Sequence, residues 1–174
     1  MSTPHQRIQG HEEILEAFGY WPSFHDAEVR SLLLDRNAVL FENIAEPRLD
    51  LCLHAFEWTR GAQPVFNHHL VHFRFHEVDE LSFEGFNQQN AILEFRIEED
   101  TREPAFPAGL KLTLVPAYGL SGCFCAASAE VLMIIPCDQK GRPRQKSGPA
   151  ASPLGGLAEP FSNSGTGSGP PSVR

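Results

Sequence analysis

The chain has 174 residues, in which 22 acidic side chains outnumber 14 basic ones and give a net charge of -8. Residues 138–174 hold five basic and two acidic residues, a charge of +3, so residues 1–137 carry -11. Phosphate groups repel a body of that charge, which argues against a nucleic-acid-binding role and suits a basic protein partner or simple solubility. The first residues lack the apolar run of a secretory signal, and no eighteen consecutive apolar residues predict a membrane helix. A cytoplasmic protein is therefore expected.

A short amphipathic helix is predicted over His11–Phe18, where Ile14 and Phe18 fall on one stripe and Gly19 is placed to end the helix. Pro22 restricts the residue before it to an extended conformation, so the chain turns there instead of continuing as a helix.

After this turn the pattern changes to apolar residues at every second position, which is typical of antiparallel strands with one dry and one wet face. Four segments alternate in this way: residues 48–58, 69–78, 91–98 and 110–115. In the third of these, Leu93, Phe95 and Ile97 are the residues expected on the dry face. Further strands are predicted over residues 29–35, 38–44, 80–86, 121–126 and 131–135. Arg36 and Asn37, between the first two of these, are interpreted as a tight turn. About eight strands with one N-terminal helix predict an α+β protein, mostly antiparallel β, whose sheet is curled or split into two layers.

The end of the chain has a different composition. From Asp138 onward, 13 of 37 residues are Gly or Pro, a proportion at which a segment usually fails to fold. We therefore expect a single β-rich domain over residues 1–137 and a disordered Gly/Pro/Ser-rich tail over residues 138–174.

His25 and Asp26 are the first candidate for chemistry. A histidine beside a carboxylate can act as a general base, so a small hydrolase is one interpretation. Neighbouring side chains of a strand point to opposite faces, however, and these two meet only if the turn rotates them. The interpretation we favour is structural: Asp26 binds backbone amides of the turn, His25 packs near Trp21, and no catalytic residue is assigned.

A cluster of histidines follows, comprising His68, His69, His72 and His76. The alternating residues around them predict a strand, along which four residues span roughly 13 Å, too far for one metal ion. The sequence instead predicts an exposed row of His72, Arg74 and His76 that a partner can contact.

The cysteines and the absence of nucleotide-binding motifs predict neither a metal nor a cofactor. The four cysteines form no C-x-x-C pair and are interpreted as small apolar residues in a reducing compartment. No phosphate-binding glycine loop and no dinucleotide fingerprint occurs. Thirteen phenylalanines leave open a β-rich protein that binds a small ligand in an apolar cavity, although they would fill a core equally well.

Residues 77–103 contain nine acidic and two basic residues, a local charge of -7. Such a run is either a surface that attracts a cationic protein or a solvated face.

Two segments carry a family resemblance. FGYWPSFHDAEV, residues 18–29, resembles the immunity protein 50 family of bacterial polymorphic-toxin systems, and VHFRFHEVDELSFEGFNQQNAI, residues 71–92, is similar to that family's middle section. The resemblance covers roughly residues 11–137. It implies a small cytoplasmic protein without catalysis or cofactor that binds and blocks a cognate toxin. The matching motif residues, to which it implies a role in the fold, are Trp21, Phe24, His25 and Asp26.

Charge and resemblance together predict an immunity protein that occludes the active site of a toxin with an acidic, aromatic-bearing sheet face or edge. The expected contact residues are Glu77, Asp79, Glu80 and Glu84, with His72, Arg74 and His76 as their neighbours.

Overall fold

The computed structural model describes residues 3–41, 44–58, 66–102 and 109–144, with the backbone alone at 37–41, 44 and 45. Met1–Arg144 forms one compact unit, which extends beyond Cys137, and residues 145–174 lie outside the described residues. Most of the predicted tail therefore lies outside the described residues too. No helix in the described part of the chain is long and apolar enough to cross a membrane.

The predicted helix is present. A 3₁₀ turn at Pro4–Arg7 leads into α1, which spans His11–Phe18 and buries Ile14 and Phe18. Gly19 ends α1 in the left-handed conformation, at φ 79°, and its N–H donates to the Leu15 carbonyl at 2.8 Å. Glycine adopts that conformation without steric cost, which explains where the helix stops.

Eight strands follow α1 within the part of the chain that the structure describes. They are β1 (Glu28–Phe41), β2 (Ile44–Glu57), β3 (Phe66–His76), β4 (Asp79–Glu84), β5 (Ile92–Glu99), β6 (Leu110–Pro116), β7 (Ser121–Ala126) and β8 (Ser128–Pro136). They form two four-stranded antiparallel sheets, in the orders β1-β2-β3-β8 and β4-β7-β6-β5. The prediction of a mostly antiparallel fold in two layers is confirmed.

The alternating pattern decides which face of each sheet is dry. In β3, Val71, Phe73 and Phe75 are fully buried, while the residues between them face outward. The inner faces meet through aromatic rings, with Phe75 5.0 Å from Phe124 and Phe73 5.6 Å from Phe95 between ring centroids. These rings fill the space between the sheets that an apolar ligand would need.

The tight turn predicted at Arg36 and Asn37 is wrong, because both residues lie inside β1. The pairing of β1 with β2 steps from Asp35 opposite Arg48 to Ala38 opposite Glu46, so β1 advances three residues while β2 advances two. This extra residue is a β-bulge, which shifts the apolar alternation by one position and imitates a break between two strands. The two predicted strands on either side are therefore largely one strand, and the hairpin connection at 42–43 lies outside the described residues.

A second bulge changes the predicted faces of β5. Ile92 pairs with Pro116 and Glu94 with Val115, so two residues of β5 advance against one of β6. As a result Ile92 is buried and Leu93 is 46% exposed, the reverse of the predicted alternation. Phe95 returns to the core, as the pattern predicted.

Candidate functional site

The motif segment, residues 23–29, joins the two sheets. The Asp26 N–H donates to the Ile92 carbonyl at 2.8 Å, and the Ile92 N–H donates back to the Ala27 carbonyl at 2.9 Å. Two residues later the Val29 N–H donates to the Asn90 carbonyl at 2.9 Å. The segment thus runs along the edge of β5 before it continues as β1 in the other sheet.

Phe24 anchors this segment in the core. Its side chain is 3% exposed and makes edge-on ring contacts at centroid distances of 5.8 Å with Trp21 and 5.9 Å with both Phe73 and Phe95. The backbone of Phe24 is left-handed, at φ 58°. A bulky residue adopts that conformation only when its surroundings compensate for the strain, and the aromatic cluster supplies this compensation.

The side chains of His25 and Asp26 do meet, because Asp26 is also left-handed, at φ 63°. His25 Nδ1 lies 2.9 Å from Asp26 Oδ2, and the two side chains are 53% and 35% exposed. Ser23 Oγ accepts a hydrogen bond from the His25 amide at 3.3 Å, and the ring stacked on Trp21 belongs to His5. The bonds from Asp26 to backbone amides and the packing of His25 near Trp21 stay predictions.

A cleft of about 470 Å³ opens beside the Asp26 carboxylate. Its charged and aromatic lining residues include Glu28, Arg30, Phe56, Trp58, Tyr118 and Lys140. His54 also lines the cleft, and burial lowers the pKa of its imidazole. Asp26 lines the cleft and His25 does not, so the two side chains do not both face it. Within the described residues, no three imidazole, thiol or carboxylate groups converge closely enough to hold a metal ion.

The row of His72, Arg74 and His76 lies on the outer face of β3, but it is half-buried and paired, not exposed as predicted. Arg74 binds Asp50 with two hydrogen bonds, from Nε at 2.8 Å and from Nη2 at 2.9 Å. These bonds lower the pKa of Asp50 and raise that of Arg74. Charged side chains held in this way are less free to bind a partner.

His76 and His72 are engaged as well. His76 Nδ1 lies 2.6 Å from a carboxylate oxygen of Glu46, and its Nε2 lies 3.1 Å from one of Glu130. His72 Nε2 lies 3.5 Å from the Cys52 sulfur, and burial lowers the pKa of the His72 imidazole. The row therefore belongs to a network across β2, β3 and β8.

The other two histidines of the predicted cluster are separated from this row. His68 is buried, and its Nδ1 lies 3.1 Å from His54 Nε2. His69 Nδ1 lies 3.0 Å from the Asn67 carbonyl.

The predicted acidic contact residues lie on the other sheet and its connection. Glu77 is in the link between β3 and β4, and Asp79, Glu80 and Glu84 belong to β4, an edge strand. Strand β4 is mostly exposed along its length. The structure therefore does not place these acidic residues and the row on β3 in one sheet.

Arg102 divides the acidic residues into two pairs. Its Nη1 lies 2.7 Å from Glu80 Oε1 and 3.5 Å from Asp79 Oδ2, while its Nη2 lies 2.7 Å from Asp100 Oδ2. The hydrogen bonds from Arg102 lower the pKa of Asp100. Within the described residues, Glu77 and Glu84 make no ion pair, so the uncompensated charge is greatest at these two positions.

Most of the chain matches a known protein family. The sequence model of the family described as Immunity protein 50 matches residues 10–134. The chain belongs to the immunity protein 50 family. The resemblance drawn from residues 18–29 and 71–92 is confirmed, since both segments lie inside the match. No curated protein and no solved structure matches the chain.

Sequence reasoning missed one surface of this immunity protein 50 family member. Tyr20, Trp58 and Phe66 are 52%, 62% and 46% exposed near the end of the sheet where β2 stops and β3 begins. The Tyr20 hydroxyl donates to Glu57 Oε1 at 2.9 Å, and Asn67 Nδ2 donates to Glu57 Oε2 at 2.6 Å. The available signal was the appearance of large aromatics where the alternating pattern ends. Tyrosine, tryptophan and phenylalanine are enriched in protein interfaces relative to the rest of the surface.

Proposed function

We propose that this chain binds a cognate toxin of a bacterial polymorphic-toxin system and neutralises it by occluding the toxin's active site. The observation that carries the proposal is the family match over residues 10–134. The proposed role is non-enzymatic and needs no cofactor. The proposed place of action is the cytoplasm, where the four cysteines, all free thiols, stay reduced.

The proposed contact surface is the acidic stretch Glu77, Asp79, Glu80 and Glu84. Three of these residues lie on an edge strand that is mostly exposed to solvent, and the chain as a whole has a net charge of -8. Such a surface accelerates the encounter with a cationic toxin. Since Arg102 compensates Glu80 and Asp79, most of this attraction falls to Glu77 and Glu84.

The proposed neighbours His72, Arg74 and His76 contribute differently. Their side chains are fixed by Asp50, Glu46, Glu130 and Cys52. We therefore propose that they support the sheet from its outer face, with a smaller share of the direct contact.

The test begins with the gene next to the one that encodes this chain. If it encodes a large secreted protein, its C-terminal domain is expressed alone in a host cell, where we expect growth to stop. Co-expression of this chain should restore growth, and the two proteins should purify together. Growth arrest that this chain does not relieve would contradict the proposal.

The contact surface is tested with the double variant Glu77→Lys and Glu84→Lys. At low salt we expect its association rate with the toxin domain to fall about ten-fold or more, and at high salt the difference should shrink. The matched control is Glu13→Lys with Glu16→Lys, the same charge change on the exposed side of α1, which packs against β8. Equal slowing of both double variants would show a dependence on net charge alone and remove the β4 surface from the interface.

A hydrolase using His25 and Asp26 is the alternative function. The 2.9 Å contact between the two side chains and the cleft beside Asp26 favour it. The variant His25→Ala separates the two functions. The immunity proposal expects it to protect cells from the toxin as well as the unchanged chain does, whereas a hydrolase would lose its activity while remaining folded.

A further inference from the structure

Within the described residues the two sheets have four edge strands, and the N-terminal part of the chain pairs with part of two of them. Gln9 pairs with β8, donating to the Ala129 carbonyl at 2.9 Å and accepting from the Val131 N–H at 2.8 Å. Residues 23–27 pair with the start of β5, as described above. These backbone groups are therefore unavailable to another chain.

The third edge strand, β1, is protected in another way. Its start is bonded to Asn90, and its register with β2 is interrupted between Val29 and Ser31, between Asp35 and Ala38, and between Val39 and Phe41. These bulges limit regular pairing with an added strand to Ser31–Asp35. That stretch is flanked by Arg30 and Arg36, so it does not suit a cationic segment.

Strand β4 is the fourth edge and lacks such cover. Among the described residues it pairs only with β7, so its other side presents free backbone donors and acceptors, except the Glu80 N–H, which donates to Asp79 Oδ1 at 2.7 Å. Its register is interrupted once, between Asp79 and Ser82, and is regular from Ser82 to Glu84. It contains neither lysine nor proline, and its charged residues are all acidic, so they oppose pairing with an acidic strand more than with a cationic one.

The side chains of β4 specify what an added strand must carry. Ser82 and Glu84 face a depression of about 350 Å³ on the outer side of the sheet, which also includes Cys123. Phe83 points inward, 6.1 Å from the Phe124 ring, and Leu81 is 39% exposed. A neighbouring strand would thus place one set of its side chains beside carboxylates and the alternate set beside apolar groups.

We propose that β4 accepts an extended segment of the toxin, with alternating cationic and apolar residues, as a fifth strand of its sheet. This proposal rests on the proposed function and specifies its mode of binding. Main-chain hydrogen bonds would supply affinity, and the cationic side chains would supply selectivity opposite Glu84. A second copy of this chain is a poor occupant, because β4 paired with β4 would set carboxylates near carboxylates.

The experiment uses the full chain and a fluorescent peptide, TKVKVKVT. Two further peptides have the same charge but carry N-methyl groups, on every valine in one and on every lysine in the other. In an antiparallel or parallel pair, alternate amides point to the neighbouring strand, so only one of these peptides loses its hydrogen bonds to β4. We expect TKVKVKVT to bind and one methylated peptide to bind about ten-fold more weakly, since it loses several hydrogen bonds.

Two controls locate the binding. The variant Glu77→Lys with Glu84→Lys should weaken the binding of TKVKVKVT at least as much as methylation does, whereas Glu13→Lys with Glu16→Lys should change it less than about two-fold. Hydrogen exchange in the presence of the peptide should slow at amides of residues 81–84. Equal binding of all three peptides, protection confined to another strand, or no binding of TKVKVKVT would overturn strand addition.

The growth test keeps this proposal separate from the proposed function. A chain that rescues growth but does not bind TKVKVKVT remains an immunity protein with another binding mode. If the chain binds the peptide through β4 but does not rescue growth, the edge-strand site is supported and the proposed function is contradicted.

Discussion

Replacing Phe24 by alanine should destabilise the protein far more than replacing its neighbour His25. Phe24 is 3% exposed and touches three aromatic rings, so its truncation leaves a cavity in the core and should lower the free energy of unfolding by about 3–5 kcal/mol. That loss is a large part of the free energy of unfolding of a whole domain, which is roughly 5–15 kcal/mol. His25 is 53% exposed, and its ion pair with Asp26 should contribute less than about 1 kcal/mol.

The assay is urea unfolding followed by tryptophan fluorescence. Trp21 lies 5.8 Å from Phe24 and is partly buried, so its emission should report the loss of this packing. With a denaturant dependence of about 2 kcal/mol per molar urea, Phe24→Ala should lower the midpoint by roughly 1.5–2.5 M, and His25→Ala by less than about 0.5 M. Phe86→Ala is the matched control, because Phe86 is 65% exposed. Equal destabilisation by Phe24→Ala and His25→Ala would refute the assignment of the motif's anchoring role to Phe24.

Three further predictions concern the sheets and their thiols. The hydrogen bond from Arg74 lowers the pKa of Asp50 in the folded state. The stabilisation of the fold by this bond is therefore fully present above the pKa of Asp50 in the unfolded chain, near 3.8, and is lost as the pH falls through the lower pKa of the folded state. The variant Asp50→Asn should therefore be less stable than the unchanged chain at neutral pH, and acidification below about pH 5 should lower its stability by less than that of the unchanged chain. Urea unfolding at each pH measures both differences. Gly122→Ala should lower the free energy of unfolding by about 1–3 kcal/mol and weaken binding of the β4 peptide, because the new methyl group would occupy the place of a phenyl ring of β4. Burial raises the pKa of Cys52 to about 11, so a thiol reagent at pH 8 should react very slowly with Cys52 and first with the less buried Cys123. The fast phase of the reaction should therefore be absent from the variant Cys123→Ser.

The strands were predictable because each sheet has one dry face. In β3 the alternation of Val71, Phe73 and Phe75 with polar residues gives the correct strand and the correct inward face. The alternating pattern misleads where one strand has an extra residue relative to its partner, as at Arg36 and near Leu93. The apolar period shifts by one position there, although the chain continues as a strand. A single sequence does not reveal this shift, because the bulge is defined by the partner strand.

The sequence predicted the acidic charge of the candidate site, but it did not predict which side chains form ion pairs. The acidic character of residues 77–103 is evident from composition, and β4 does carry three of the four predicted contact residues on an exposed edge. The partners of Arg74 and His76 are 24 to 54 positions away in sequence, and only the sheet register brings them together. The same limit applies to Arg102, which reaches back 22 positions to Glu80.

The motif that identifies the family and the surface proposed to bind its partner serve different parts of one architecture. The N-terminal segment from Gln9 to the motif closes the edges of β8 and β5, and Phe24 anchors it in the core. With parts of these edges paired and the regular stretch of β1 flanked by Arg30 and Arg36, β4 is the described edge that combines a regular stretch with acidic side chains. Substitutions in the motif should therefore act on folding, whereas substitutions of the outward-facing residues of β4 should change which toxin is bound and leave the fold intact.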